Sequence, residues 1–321
     1  MQIHRAKYEL TALFAAALLG LLSLHAQEKA PALTAPVRLT VTVQGIGENE
    51  DRPDIKPEDV VVRQGQDHLQ VTGWVPARGD HAGLDLFFLI DDACDPSIGS
   101  QLNDLRTFIN AQPATTSVGV GYMLNTTVQI EQNFTTEHDQ AAKALRPPMG
   151  SVGAFGSPYL SLMDLMRRWP EGPNRREVVM ITDGIDRARG GPRRGASALG
   201  PIPDVDSAGD LAQRTGTIIH TMYARGVGRL GRNFWEEQNG MNGTSRLSDV
   251  SGGASFFLSF QNPVSFKPWL DELQTILDNQ YILSFGAIPG KQSSLQRINL
   301  STEAAGVEFA AADAVWVPVG N

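Results

Sequence analysis

Apolar positions along this chain change their period twice. From Val37 to Gln44 they alternate with polar ones. Val37, Leu39, Val41 and Val43 share one face, which predicts a half-exposed strand. Val60-Val61-Val62 and the run from Leu69 to Val75 predict two more strands, with Arg63-Gln64-Gly65-Gln66-Asp67 as the hairpin between them. At Leu84 the pattern becomes a short, almost wholly apolar run through Ile90. Such a run predicts a strand buried on both faces, as in a parallel sheet. It ends in Asp91, Asp92 and Asp95. Ile98, Leu102, Leu105, Phe108 and Ile109 then recur at helical spacing. Pro96 suits the first turn of that helix and Asp95 its N-cap. The acids therefore fall at the carboxyl end of a buried strand, where open α/β sheets place ligand sites.

The alternation of strand and helix continues. Strands are predicted from Val118 to Leu124, Val128 to Asn133, Glu177 to Ile181, Ile218 to Met222 and Ala254 to Phe260. Helices are predicted from Thr136 to Leu145, Tyr159 to Trp169, Ser207 to Thr215, Thr244 to Val250 and Phe266 to Leu277. This order argues an α/β fold with a doubly wound, mostly parallel sheet. After Asn279 strands return: Tyr281 to Phe285, Leu295 to Leu300 and Val307 to Ala311. They are expected to pair with the strands between Val37 and Val75 in a small β-sandwich built from both chain ends. The alternative is two separate β flaps on the central domain.

Residues 1–26 combine His4, Arg5 and Lys7 with an apolar run from Leu10 to Leu24 and a small residue at Ala26. That reads as a secretory signal peptide, its apolar run shorter than a spanning helix needs, with retention as an N-terminal anchor the alternative. The expected organisation is signal peptide 1–26, linker 27–36, N-terminal strands 37–79, α/β domain 80–280 and C-terminal strands 281–321. After signal removal no apolar run is long enough to span a membrane, so the protein is expected to be exported, periplasmic or extracellular. Cleavage would take the net charge from −8 to −9. A mildly acidic exported chain has no electrostatic reason to bind nucleic acid. Cys94 is the only cysteine, so no intrachain disulfide is possible and stability must come from a core.

Three segments resemble the von Willebrand factor A family. Asp91-Asp92-Ala93-Cys94-Asp95 aligns with that family's Asp-x-Ser-x-Ser, with Ala93 and Asp95 in place of both serines. Gly156-Ser157 stands where the family has Gly-Thr before a helix. Thr182-Asp183-Gly184 matches its Ser/Thr-Asp-Gly. The chain also resembles an acidobacterial-type exported subgroup with flanking strands, through Ile55 to Val62, Asp183-Gly184-Ile185-Asp186 and Gln280 to Phe285.

The resemblance implies a metal-ion-dependent adhesion site in degenerate form, with Asp91, Asp95, Ser157 and Asp183 as metal ligands. Hard oxygen donors of this kind suit Mg²⁺, Mn²⁺ or Ca²⁺. Ala93 removes a ligand, and Asp95 adds a negative charge that would neutralise an ion more fully. Asp95 and Ser157 have a second reading as helix N-caps. Asp92 and Asp186 read as solvated or supporting acids, and Cys94 as a small half-buried side chain. The loop with Arg187, Arg189, Arg193 and Arg194 reads as solvated, or as a recognition loop for an acidic partner. Phe234 and Trp235 read as a packed flap or a binding surface.

The expected function is a non-enzymatic protein–protein binding or adhesion module with an unknown protein partner. The alternatives are a structural envelope protein with a vestigial site and a metal-assisted hydrolase. Gly-x-Ser-x-Gly is absent and Ser157 has no evident His partner, so a serine hydrolase is not indicated.

Overall fold

A computed structural model describes residues 34–46, 55–150, 156–188, 203–228 and 234–319. The expected signal peptide lies outside the described residues, as does the linker up to Leu33 and the loop segment with Arg189, Arg193 and Arg194.

The chain enters through β1 (Ala35–Gly45), β2 (Val60–Gln64), β3 (Asp67–Leu69) and β4 (Val71–Pro76). The run from Leu69 to Val75 is therefore two strands. It breaks at Gln70, because β3 closes a hairpin on β2 while β4 pairs with a strand from the far end of the chain.

The α/β region runs from β5 (Leu84–Asp91) through a 3-10 turn over Pro96–Gln101 into α1 (Leu102–Asn110). It continues with β6 (Thr116–Leu124), β7 (Thr127–Thr135), α2 (His138–Lys143), α3 (Pro158–Arg167) and β8 (Arg175–Thr182). Then come α4 (Pro203–Thr215), β9 (Thr217–Tyr223), α5 (Phe234–Ser251), β10 (Ser255–Phe256) and α6 (Lys267–Asp278). The helix expected from Thr244 begins ten residues earlier, at Phe234. Gly240 and Gly243 weaken its sequence signal, yet both are needed where α5 passes close to its neighbours. A Cβ at Gly240 would strike Asp183 O, and one at Gly243 would strike Tyr159 Oη.

The central sheet has the order β10-β9-β8-β5-β6-β7. Every neighbour pair is parallel except β6 with β7, joined by a tight turn at Asn125 and Thr126, both at positive φ. β5 lies in the middle, buried at all eight positions. Its even residues, Leu86, Phe88 and Ile90, pack with α1 and α6. Phe87 and Leu89 pack with α3, α4 and α5. This two-sided burial is why the run carries no alternation.

The exit strands are β11 (Gln280–Ala287), β12 (Ser294–Arg297), β13 (Asn299–Thr302), β14 (Val307–Ala310) and β15 (Ala314–Val317). β11 pairs with β1 and β4, and β14 extends the same sheet in the order β14-β1-β11-β4. β13 joins β2 and β3 in a second sheet. The expected sandwich from both chain ends is thus present, around a core that includes Val41, Val62, Trp74, Leu283 and Phe285. The stretch from Leu295 to Leu300 splits at Ile298, so that β12 pairs with β15, a strand the sequence pattern did not suggest. Among the described residues no helix is long and apolar enough to cross a membrane.

Candidate functional site

The acids lie where β5 and β8 end, side by side at the centre of the sheet. Asp91 closes β5 and is 6% exposed. Its Oδ1 accepts from Ala93 N at 2.8 Å, and its Oδ2 accepts from Thr182 Oγ1 at 2.7 Å. Thr182 Oγ1 in turn accepts from Gly184 N at 3.0 Å. Asp183 is 1% exposed, and its Oδ1 accepts from Ile185 N at 3.0 Å.

Between the two carboxylates lies a cation from the chain itself. Arg187 Nη1 donates to Asp183 Oδ1 at 3.0 Å, and Arg187 Nη2 donates to Asp183 Oδ2. Nη1 also lies 3.9 Å from Asp91 Oδ2. The backbone of Arg187 is held by Gly156 O, which accepts from its N–H at 3.0 Å, and its side chain is 8% exposed. Arg187 was expected on a solvated loop. It is buried instead, because two desolvated carboxylates need a counter-charge. Burial opposes its charge, but Asp183 and then Asp91 more than compensate and hold the guanidinium above its ordinary pKa. Asp91 moves up from 3.8, chiefly by burial, against the pull of Arg187.

Gly226 makes the pair possible. A Cβ there would collide with Asp183 Oδ2 and Arg187 Nη2. The segment containing Gly226 is laced to the acid loop: Asp95 N donates to Arg225 O at 2.8 Å, and Val227 N donates to Ala93 O at 2.9 Å.

The other two expected ligands accept local capping hydrogen bonds. Asp95 caps the turn that follows it, its Oδ1 accepting from Ser97 N at 2.9 Å. Ser157 is fully buried and caps α3, its Oγ accepting from Leu160 N at 3.5 Å. Both therefore take their capping reading. Ala93 offers no side-chain oxygen. Among the described residues no three His, Cys, Asp or Glu side chains converge as a metal cluster. As arranged, these residues do not fit a divalent cation: the two carboxylates closest to the family's pattern already share a guanidinium. Beside them the cavity bounded by Asp91, Ala93, Gly156 and Arg187 is about 10 Å³, room for roughly one water.

Of its two readings Asp92 takes the supporting one: it is fully buried, and Arg146 clamps it through Nη1 at 2.7 Å and Nη2 at 2.9 Å. Met149 N donates to its Oδ1 at 3.1 Å, and Arg146 stacks 3.7 Å from the Tyr122 ring centroid. The pair pins the segment after α2 to the acid loop. Asp186 accepts from Ala188 N at 3.0 Å through Oδ1. Cys94 is fully buried, not half-buried. Burial, and then the charges of Asp91 and Asp183, push its thiol well above the usual range.

Around the rim, aromatic rings gather at the carboxyl ends of β9 and β10. Phe257 and Phe260 pack edge-on against Tyr223 and against each other, and Phe260 meets Phe234. Phe234 and Trp235, in the first turn of α5, are 55% and 58% exposed, and Leu258 is 76% exposed. Beneath them Arg225 Nε lies 3.4 Å from Glu237 Oε1.

The sequence did not single out Gly226 or Arg146, and it named Thr182 only as part of the Thr182-Asp183-Gly184 match. The available signal for Arg187 was its place four residues after Asp183, which is a contact only in a helix or a tight loop.

No protein-family model and no curated protein sequence matches the chain. Among solved structures, the chain is similar to an aerotolerance-related membrane protein from Bacteroides fragilis, at 9% identity over 61% of this chain and 99% of that one, TM-score 0.40. It is similar to the conserved hypothetical protein BatB from Bacteroides thetaiotaomicron, at 11% identity over 60% and 97%, TM-score 0.40. It is also similar to the vWF domain of the type V pili tip protein Mfa5 from Porphyromonas gingivalis, at 12% identity over 60% and 95%, TM-score 0.39. The mostly parallel sheet of order β10-β9-β8-β5-β6-β7, with one antiparallel edge strand and helices on both faces, is the doubly wound α/β arrangement that the von Willebrand factor A resemblance led one to expect, here with antiparallel sheets contributed by both chain ends.

Proposed function

We propose that this protein is an exported, non-enzymatic protein–protein binding module. Its degenerate adhesion site works without a metal, with the Arg187 guanidinium in the ion's place. One observation carries the reading: Arg187 forms a two-point ion pair with Asp183 and approaches Asp91 within 3.9 Å. An adhesion metal keeps net positive charge and so attracts a partner carboxylate. Here two carboxylates face one guanidinium, so that attraction is absent. Recognition passes instead to the exposed rim of Phe234, Trp235 and Leu258, residue types that anchor protein interfaces.

Two further features support binding over catalysis. The cavity at the acids, about 10 Å³ among the described residues, is far below the few hundred Å³ of ordinary substrate pockets. Ser157 is buried in a capping role, which gives it no nucleophilic geometry. Export rests on the sequence of residues 1–26 and places the module in the periplasm or outside the cell.

The test is affinity capture from envelope and culture-medium fractions with the mature protein, with and without EDTA, using wild type and Trp235→Ala. Capture of a defined partner that survives EDTA and is lost in Trp235→Ala supports the reading. Capture abolished by EDTA overturns the metal-free site. Saturable Mg²⁺, Mn²⁺ or Ca²⁺ binding by calorimetry, lost in Asp183→Ala, would overturn it as well. The filled site equally favours a structural envelope protein, which predicts no specific partner in any of these fractions.

A further inference from the structure

At the opposite end of the sheet, where the parallel strands begin, four arginines converge on one cavity. Arg38 comes from β1, Arg175 and Arg176 open β8, and Arg214 lies in the last turn of α4. The cavity holds about 540 Å³, and among the described residues no Asp or Glu lines it. That volume lies within the range of about 300–1,000 Å³ usual for small-molecule sites. In a chain of net charge −8, such a concentration of one sign is against the overall balance.

These arginines have little to neutralise them. Arg38 Nη1 reaches Pro173 O at 3.4 Å, and Arg176 Nη2 reaches Pro170 O at 3.3 Å. The Arg214 guanidinium lies 4.2 Å from the Trp316 ring centroid. Among the described residues none of these three makes an ion pair. Arg175 is 8% exposed, and its Nε is buried with no hydrogen-bond partner. Its Nη1 donates to Gln280 and its Nη2 to Ala82 O at 3.3 Å. Its nearest carboxylate, Glu177, stands 3.7 Å away and is shared with His220, whose Nε2 is 2.9 Å from Glu177 Oε2. Asp278 adds a more distant negative charge.

Four like charges facing one space repel, and low-dielectric walls strengthen the field they make there. A guanidinium presents its donors in a planar fork that matches carboxylate and phosphate oxygens. We propose that this arginine-lined cavity is a binding site for a small multivalent anion bearing phosphate or carboxylate groups. Arg38, Arg176 and Arg214 supply the contacts, and Arg175 adds a buried charge beside them. The Trp316 ring packs against the Arg214 guanidinium and restricts it. The site is independent of the acid face, which lies at the other ends of the strands.

Calorimetric titration of the mature protein with inorganic pyrophosphate and with citrate tests this. The expected result is saturable one-to-one binding of at least one of the two. It should weaken about tenfold or more in Arg38→Gln and in Arg214→Gln, as expected for losing a charge-assisted contact. Raised salt should weaken it as well. Both variants change exposed side chains, and unchanged melting temperatures would show that they fold. Arg63→Gln, on β2 away from the cavity, should bind as wild type does. Pyrophosphate alone would assign a phosphate ligand, and citrate alone a polycarboxylate. Absence of binding by both anions at low-millimolar concentration overturns the proposal, as does binding that Arg38→Gln and Arg214→Gln leave unchanged.

Discussion

Arg187 meets Asp183 through both of its Nη atoms, four residues further along the same loop. The guanidinium lies within 3.9 Å of Asp91 as well. The chain thus supplies its own cation to the two carboxylates at the centre of the sheet. Removing one partner of a buried pair leaves an uncompensated charge. Arg187→Ala should therefore lower stability by about 3–5 kcal/mol in urea titration. The vacated site should also gain Mg²⁺ or Mn²⁺ binding, seen as a metal-dependent rise in melting temperature that wild type does not show. A variant as stable as wild type would mean that the pair does not neutralise the acids.

Asp91 gives a pH dependence of definite sign. Its folded pKa is raised above 3.8, burial being the largest cause. A carboxylate raised in this way contributes stability below its unfolded pKa, and that contribution is lost as pH rises through the folded value. Asn at this position does not titrate. The melting temperature of Asp91→Asn relative to wild type should therefore increase as pH rises above 3.8 towards neutrality. A difference that is flat or falls over that interval contradicts the assignment.

Asp92 and Arg146 form a lopsided pair. The carboxylate side chain is fully buried, while that of Arg146 is about a third exposed. Arg146→Ala strands a buried carboxylate. Asp92→Asn leaves a guanidinium that can turn to water. The first should cost more, roughly 2–3 kcal/mol after allowing for solvent screening at Arg146. Denaturant midpoints of the two variants decide this, and the reverse order would refute it.

Phe234 and Trp235 are exposed apolar side chains at the rim, and their truncation removes little buried surface. Phe234→Ala and Trp235→Ala should stay within about 0.5 kcal/mol of wild-type stability. Each should weaken capture of the partner by tenfold or more, the behaviour of an interface anchor. Unaltered capture by both variants would move the binding surface elsewhere.

Cys94 is fully buried, and its thiol is pushed well above the usual range. Reaction with a thiol reagent needs an accessible thiolate. The native protein should stay unlabelled at neutral pH and take up one equivalent in denaturant. Fast labelling of the folded protein would show that the acid loop opens.

Local pattern announced much of this architecture. The run through Ile90 carries no alternation because β5 is covered on both faces, and burial on two sides is a property the residues themselves display. The caps at Asp95 and Ser157 were legible as one of two readings, beside that of metal ligands, since a short polar side chain before Pro at a helix start acts on its own next turn. The break at Gln70 was not: β3 and β4 read as one strand until their partners, β2 and β11, are known. β15 was missed for the same reason, as its pairing with β12 depends on a split at Ile298.

The sequence alone determined the strand–helix alternation of the central α/β region and the position of the acids at strand ends. Each of these follows from periodicity or from contacts within a few residues. Only the tertiary structure decided what the acids face. Among the described residues the buried partner of Asp183 is Arg187, and it reaches that place because Gly226, from another loop, has no side chain to block it. The arginines of the distal cavity come from β1, β8 and α4, and folding alone brings them together. Charge pairing and desolvation act through space, so they are settled by packing and not by spacing along the chain.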